Sequence, residues 1–157
     1  MARTKVGPEI IVGIDGSLDS KNALRWAVGL AAATGGRVCA VAVWDVPATI
    51  LLTPYNEDHY ADVAEEMLDE VVDEVAPSDS GVEVETGLIR GASPARRLVE
   101  ESRGADLLVV GRRGRGGLAG MHLGSVASYC VDHAMCPCVV VRASAVASVM
   151  EVESVPA

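Results

Sequence analysis

The sequence predicts an α/β fold built on one doubly wound, five-stranded parallel sheet. Short apolar runs alternate with segments of helical periodicity along the whole chain. The 157 residues are 50% hydrophobic yet contain no Phe, so the core must come from small aliphatic side chains. Val-rich runs are typical of strands buried on both faces of a parallel sheet. We expect a single domain over 1–157, with a core at about 9–142 and a tail at 143–157.

In the first half of the chain, the helices are recognised by their periodicity and by the residues that end them. A Gly-Gly pair at 35–36 stops the first helix, and an apolar stripe at helical spacing defines the second. Acidic residues cover the other face of this second helix, which indicates a solvated face or, alternatively, an acidic docking surface. The expected order is a strand at 9–15, a helix at 19–34, a strand at 37–45, a loop at 47–60 and a helix containing the stripe at 64–75.

In the second half, strands and helices alternate in the same way. Ser93 is expected to cap a short helix that has Pro94 at its first position, the preferred arrangement for a helix start. The remaining elements are expected as a strand at 82–90 before that helix, then a strand at 106–110, a helix at 125–135 and a strand at 138–142.

Net charge and hydropathy argue against several classes of partner. The formal net charge is −9, whereas nucleic acids and anionic membranes are bound by clustered Lys and Arg. No stretch reaches the roughly 18 apolar residues that a membrane-spanning helix needs. The N-terminal MARTKVGPEI has no apolar segment behind its basic residues, because Gly7, Pro8 and Glu9 interrupt it. We expect a cytoplasmic protein with no nucleic-acid or membrane partner.

The positions of the cysteines are better explained by packing in the core than by binding of a metal. Cys136 and Cys138 lie close to His133 in the sequence, but a tetrahedral structural site needs four ligands and a fourth is not evident. A free Cys behaves as a small hydrophobe, and Cys138 opens an apolar run. We therefore expect these side chains in the core.

The most unusual segment is the loop GRRGRGGLAGMHLGS at 111–125, after the fourth strand. Glycine allows positive φ angles and lets backbone N–H groups approach an anion. Gly124 and Ser125 open the next helix, whose amino end favours phosphate. Arg112, Arg113 and Arg115 add positive charge to an otherwise acidic protein. The loop therefore predicts a phosphate site.

The position of this loop also points to ligand binding. In open α/β sheets, ligands bind at the carboxyl ends of strands where the winding direction reverses. The first strand ends in GIDGS at 13–17, and the fourth ends in the glycine-rich loop. The pattern G-x-x-x-x-G-K-[ST] is absent, and G-x-G-x-x-G does not follow the first strand. A phosphate site here would be of another type.

The spacing Gly111-x2-Gly114-x9-Gly124-Ser125 resembles the ATP-binding signature of the universal stress protein family. The resemblance extends to GIDGS, to the segment 95–111 and to CPCVVVR at 136–142, and it covers roughly 9–142 in matching order. It implies a Rossmann-like fold of the adenine nucleotide alpha hydrolase type, with strand order 3-2-1-4-5. The first and fourth strands would then be neighbours, and Asp15 and Gly111 would face one crevice.

The resemblance also implies which residues bind the nucleotide. Asp15 matches an acidic residue near the ribose and phosphates, with Gly13 close by, and is the candidate ligand for Mg²⁺ carried by ATP. Val43 matches the backbone position that reads the adenine. Arg112 and Arg113 depart from the smaller or aromatic residues common there. The phosphate and ribose region matches Gly111, Arg112, Gly114, Arg115, Gly124, Ser125 and Val126.

We interpret the protein as an ATP-binding module that responds to stress or energy state through its nucleotide, without dedicated catalysis. One alternative is slow Mg²⁺-dependent ATP hydrolysis, with His122 as the candidate in the loop that could activate water. A second is a sensor of AMP or cyclic AMP. A third is a pure interaction protein, against which the intact glycine pattern argues.

The fifth strand is expected to mediate a homodimer. In the order 3-2-1-4-5, CVVVR at 138–142 is an edge strand, and exposed apolar edges pair unless they are covered. Two copies can pair antiparallel across a twofold axis, and many members of the family dimerise there. The alternative is that the tail at 143–157 folds back over this edge.

Overall fold

Strands and helices alternate along the chain, as the sequence predicts. The structure is a computed structural model that describes residues 6–114 and 122–142. Within those residues the elements are β1 (Glu9–Gly13), α1 (Leu18–Thr34), β2 (Arg37–Trp44), a short 3₁₀ helix (Ala48–Ile50), α2 (Glu57–Val75), β3 (Val84–Arg90), α3 (Pro94–Glu101), β4 (Leu107–Gly111), α4 (Ser125–His133) and β5 (Cys138–Val141). The predicted tail at 143–157 lies outside the described residues.

The five strands form one sheet in the order β3-β2-β1-β4-β5. All four neighbouring pairs are parallel. The predicted fold class and strand order are therefore confirmed. The chain winds outward from β1 to β3, returns to the centre at β4 and then winds the other way, so the reversal lies between β1 and β4.

Two aliphatic layers cover the two faces of the sheet, because successive side chains of each strand point to opposite faces. Ile10 and Val12 of β1 pack with Leu24 of α1 and with α2 on one face. Ile11 of β1 packs with Leu98 of α3 and with α4 on the other face. The Phe-free composition is thus accommodated by Ile, Leu, Val and Ala on both sides.

Local capping fixes where the helices begin and end. Ser17 caps α1, and its side chain accepts a hydrogen bond from the backbone N–H of Ser20. Gly35 ends α1 in the left-handed conformation, with φ 68°. Ser93 caps α3, and Pro94 is its first residue, as predicted. The signals at Gly35, Ser93 and Pro94 were read from the sequence, because each depends only on neighbouring residues, whereas the cap by Ser17 was not predicted.

The predicted loop at 47–60 is wrong at its carboxyl end. The helix α2 begins at Glu57, because the side chain of Asn56 caps it by accepting a hydrogen bond from the N–H of Asp58 at 3.1 Å. The first strand also ends at Gly13, two residues before the predicted end. In the described part of the chain, no helix has the length and apolar character needed to cross a membrane.

The cysteine side chains lie in or beside the core. Cys130 is completely buried, and burial raises the pKa of its thiol to about 12. Burial also raises the pKa values of Cys39, Cys136 and Cys138. His133 stacks on the ring of Tyr129, with centroids 4.1 Å apart. Among residues 6–114 and 122–142, no three His, Cys, Asp or Glu side chains are grouped as metal ligands would be.

Candidate functional site

A cleft of about 420 Å³ opens where the winding of the sheet reverses, at the carboxyl ends of β1 and β4. Its volume is in the range of small-molecule sites. Most of the residues that the resemblance implies as nucleotide ligands line this cleft. They are Gly13, Asp15, Val43, Gly111, Gly114, Gly124, Ser125 and Val126.

The loop after β1 fixes Asp15 at the cleft. The carboxylate of Asp15 accepts a hydrogen bond from the N–H of Ser17 at 2.9 Å. Its own N–H donates to the hydroxyl of Ser20 at 3.4 Å, and that hydroxyl donates to the carbonyl of Ser17 at 2.9 Å. Gly16 adopts φ 80°, the positive value that this tight turn requires. The carboxylate is thus held by the first turn of α1.

The glycines of the β4–α4 connection are required by close approach and not by their φ angles. Among the described residues none of Gly111, Gly114 and Gly124 has a positive φ, so the expectation that these glycines serve positive φ angles is wrong for these three positions. A Cβ on Gly114 would lie 2.5 Å from Oδ2 of Asp15. A Cβ on Gly111 would lie 2.7 Å from the carbonyl carbon of Asp19. Their backbones pack directly against the β1 loop and the start of α1.

The amino end of α4 presents backbone donors to the cleft. Gly124 is the N-cap, with extended φ and ψ of −69° and 165°, and among the described residues no side chain caps this helix. The first N–H groups of any α-helix have no acceptor within the helix. Here they belong to Ser125, Val126 and Ala127, which all line the cleft. Together with the helix dipole they form a site suited to an anion.

The structure places Arg113, and not Arg112, in the lining of the cleft. The backbone of Arg112 is held on both sides, since its N–H donates to Val141 at 2.9 Å and its carbonyl accepts from Gly124 at 2.8 Å. The sequence contains no signal that separates the two adjacent arginines. Arg115, the other implied arginine, lies outside the described residues.

The backbone of Val43 faces the opposite end of the cleft. The pairing of β1 with β2 stops at Gly13 and Val41, and the last hydrogen bond runs from the N–H of Ile14 to the carbonyl of Val41 at 2.8 Å. The carbonyl of Trp44 points the other way, to Gly91 beyond β3. Because backbone groups alternate along a strand, the N–H and C=O of Val43 point to the side where β1 has already ended.

The walls between these two polar ends are apolar. Ile14, Val41, Pro94 and Leu98 line the cleft beside Val43. Sequence reasoning missed these residues, because core aliphatics near a site look like any other core residues. The cleft therefore combines an anion-binding end, apolar walls and an exposed backbone donor and acceptor.

Comparison with known proteins identifies the family. The model of the universal stress protein family matches residues 8–142. The chain belongs to the universal stress protein family. A relative, the universal stress protein Rv2005c of Mycobacterium tuberculosis, is 36% identical over 135 residues, which are 86% of this chain and 45% of the relative. The chain thus spans just under half the length of this and other mycobacterial universal stress proteins that it matches.

Two solved structures share the fold of this universal stress protein. One is a universal stress protein in complex with cAMP, with a TM-score of 0.66, 24% identity, and coverage of 87% of this chain and 97% of that one. The other is a universal stress protein family protein from Arabidopsis thaliana with AMP bound, with a TM-score of 0.56 and 17% identity. It covers 86% of this chain and 91% of that one. At these identities the likeness shows the fold alone.

Proposed function

We propose that this protein binds an adenine nucleotide, ATP or a close relative, in the cleft between β1 and β4, as a module that responds to its nucleotide without dedicated catalysis. The observation that carries the proposal is the uncapped amino end of α4, within the described chain, which faces a cleft whose other end exposes the backbone of Val43. The two neighbours that hold cAMP and AMP support an adenine nucleotide.

The apolar end of the cleft suits a purine base. A flat ring can contact the apolar lining, which includes Val41 and Leu98, while the N–H and C=O of Val43 supply one donor and one acceptor at the edge of the base. Adenine offers a complementary acceptor and donor at N1 and the 6-amino group. We propose that the base is bound here and read by the backbone.

The polar end suits phosphate groups. The N–H groups at the start of α4 and the side chain of Arg113 would hold them. The carboxylate of Asp15 lies at the same end and would repel a phosphate directly, since like charges raise the free energy of the complex. A Mg²⁺ ion between the two would convert that repulsion into binding, because Mg²⁺ takes carboxylate and phosphate oxygens as ligands. We propose that Asp15 acts through Mg²⁺ when ATP is bound.

The absence of dedicated catalysis is part of the proposal. Among the described residues that line the cleft, the only charged side chains are those of Asp15 and Arg113, and none is a His or Gln that could orient water. His122, the sequence candidate for that role, is not among them. Slow hydrolysis of ATP remains the alternative that a turnover assay would detect.

A binding experiment with nucleotide-free protein tests the proposal. The protein is unfolded, freed of small molecules, refolded and checked by mass spectrometry for residual nucleotide. Its melting is then followed with ATP, ADP, AMP and cyclic AMP, with and without Mg²⁺, and with GTP as the control base. A ligand at a hundred times its Kd should stabilise the fold by about 2.7 kcal/mol. If none of the four adenine nucleotides raises Tm at millimolar concentration, the proposal is wrong.

A further inference from the structure

Asp19 joins the two loops that build the cleft. It lies in the first turn of α1, directly after the loop that holds Asp15. Its carboxylate oxygen Oδ2 accepts a hydrogen bond from the backbone N–H of Arg113 at 3.0 Å, across 94 positions of the sequence. The backbone of Gly111 packs on the same residue, since a Cβ there would lie 2.8 Å from the Cβ of Asp19. One side chain thus contacts both ends of the segment 111–113.

The contact is rigid on the α1 side. The first turn of the helix is fixed by the hydrogen bonds between Ser17 and Ser20, and Ser20 is 3% exposed. On the other side, Arg112 is held by the bond from its N–H to Val141 and by the bond from the N–H of Gly124 to its carbonyl. The bond from Asp19 attaches the next residue, Arg113, to the first turn of α1, and so helps to set where Arg113 and Gly114 lie relative to Asp15.

We propose that Asp19 is a positioning residue for the nucleotide site: it holds the loop after β4 at the distance from Asp15 that lets the phosphates reach the amino end of α4 from the cleft. This role rests on the proposed function. Asp19 acts on the ligand through Arg113 and Gly114. A purely local role, in which Asp19 only stabilises α1 through the helix dipole, predicts a different set of variant effects.

The first test measures the loop without any ligand. Hydrogen exchange of the Arg113 amide is followed by NMR in the nucleotide-free protein. In Asp19→Ala we expect this amide to exchange at least about tenfold faster, because a bond to a charged acceptor is lost. Asp58→Ala is the matched control, since Asp58 also lies in the first turn of a helix, α2, and is not among the described residues that line the cleft. Equal exchange of Arg113 in the wild type and in Asp19→Ala would overturn the proposal.

The second test measures nucleotide affinity by titration calorimetry in two further variants. Asp19→Asn keeps an oxygen that can accept the bond and removes the charge, so we expect an affinity close to that of the wild type. Asp19→Glu keeps the charge and the helix-dipole interaction but moves the acceptor by one methylene. We expect it to weaken binding by about tenfold or more, with Tm of the free protein little changed.

The outcomes separate the proposals. If wild type binds nucleotide and Asp19→Glu binds equally well, the positioning role is wrong while the proposed function stands. If Asp19→Asn lowers the Tm of the free protein, Asp19→Glu does not, and both variants keep their affinity, Asp19 is only a helix-stabilising residue. A wild type that binds no adenine nucleotide removes the proposed function, and this role with it.

Discussion

The backbone of Gly114 lies against the carboxylate of Asp15, so closely that a Cβ at position 114 would fall 2.5 Å from Oδ2. Real Cβ atoms do not approach other atoms this closely, so any larger residue must displace the carboxylate or the loop. The same carboxylate is held on its other side by the N–H of Ser17. This contact between the loops after β1 and β4 explains why position 114 is a glycine, and the explanation does not depend on the φ angle of Gly114.

Substitution of Gly114 tests this contact. We expect Gly114→Ala to weaken nucleotide binding by at least about tenfold, because the loop must move away from Asp15. Gly29→Ala is the matched control: Gly29 lies in α1 and a Cβ there would meet nothing within 4 Å. It should raise the free energy of unfolding by about 0.5–1 kcal/mol and leave binding unchanged. Unfolding curves and calorimetry check both, and equal affinities in the two variants would show that Gly114 does not border the ligand.

Substitution of Asp15 tests the role of Mg²⁺. We expect Asp15→Ala to weaken ATP binding in the presence of Mg²⁺ and to affect cyclic AMP much less, because a ligand with fewer phosphate charges depends less on the metal. Asp62→Ala, an exposed acidic residue of α2, is the control. ATP titrations with Mg²⁺ and with EDTA give the comparison. Wild-type affinity for ATP that is the same in both buffers would remove the metal from this site.

The edge strand β5 allows a direct test of the predicted homodimer. The carbonyls of Pro137 and Val141 accept hydrogen bonds from Leu108 of β4 and from Arg112 just after it. By alternation the N–H of Val139 points to β4 and that of Val140 points away from it. We expect Val140→Pro to abolish a dimer formed through this edge and to keep the fold. Val139→Pro should instead destabilise the sheet by about 1–3 kcal/mol.

Light scattering at tens of micromolar, together with thermal unfolding, distinguishes these effects. A wild-type protein that is monomeric at that concentration, roughly where weak strand pairing would still be detected, contradicts the dimer. A Val140→Pro variant that folds and still dimerises would place the interface elsewhere on the molecule.

The buried thiol of Cys130 makes stability depend on pH. Its pKa rises from 9.0 to about 12 on folding, because burial penalises the thiolate. Above pH 9.0 the unfolded thiol loses its proton while the folded one keeps it, so this contribution to stability is complete below the unfolded pKa and declines as pH rises toward about 12.

Urea unfolding of the wild type and of Cys130→Ala at about pH 8 and about pH 10.5 measures this contribution. At the lower pH we expect Cys130→Ala to have a smaller free energy of unfolding than the wild type, because the substitution leaves a small cavity. At the higher pH we expect the two free energies of unfolding to lie closer together, because the wild type has lost part of the contribution of the thiol. A difference that does not change with pH would mean that Cys130 keeps its ordinary pKa in the folded protein.

Much of the fold follows from local sequence, because the signals depend on near neighbours. Alternating apolar runs and helical stripes predict each strand and each α-helix of the described residues, and Gly35 and Ser93 mark helix ends through bonds within one turn. The boundary error at 47–60 arose because two prolines made the segment look irregular up to Tyr60, whereas Asn56 caps a helix that begins at Glu57. The strand order came from the family resemblance, and not from periodicity.

What the sequence by itself determined about the site is its composition: a glycine-rich loop, an acidic residue after β1 and a helix amino end. The tertiary structure decided which groups face the cleft. Arg113 lines it and the adjacent Arg112 does not. The backbone of Val43 is exposed only because β1 stops earlier than β2. Such choices depend on where separate segments end in space, and no pattern of neighbouring residues contains that information.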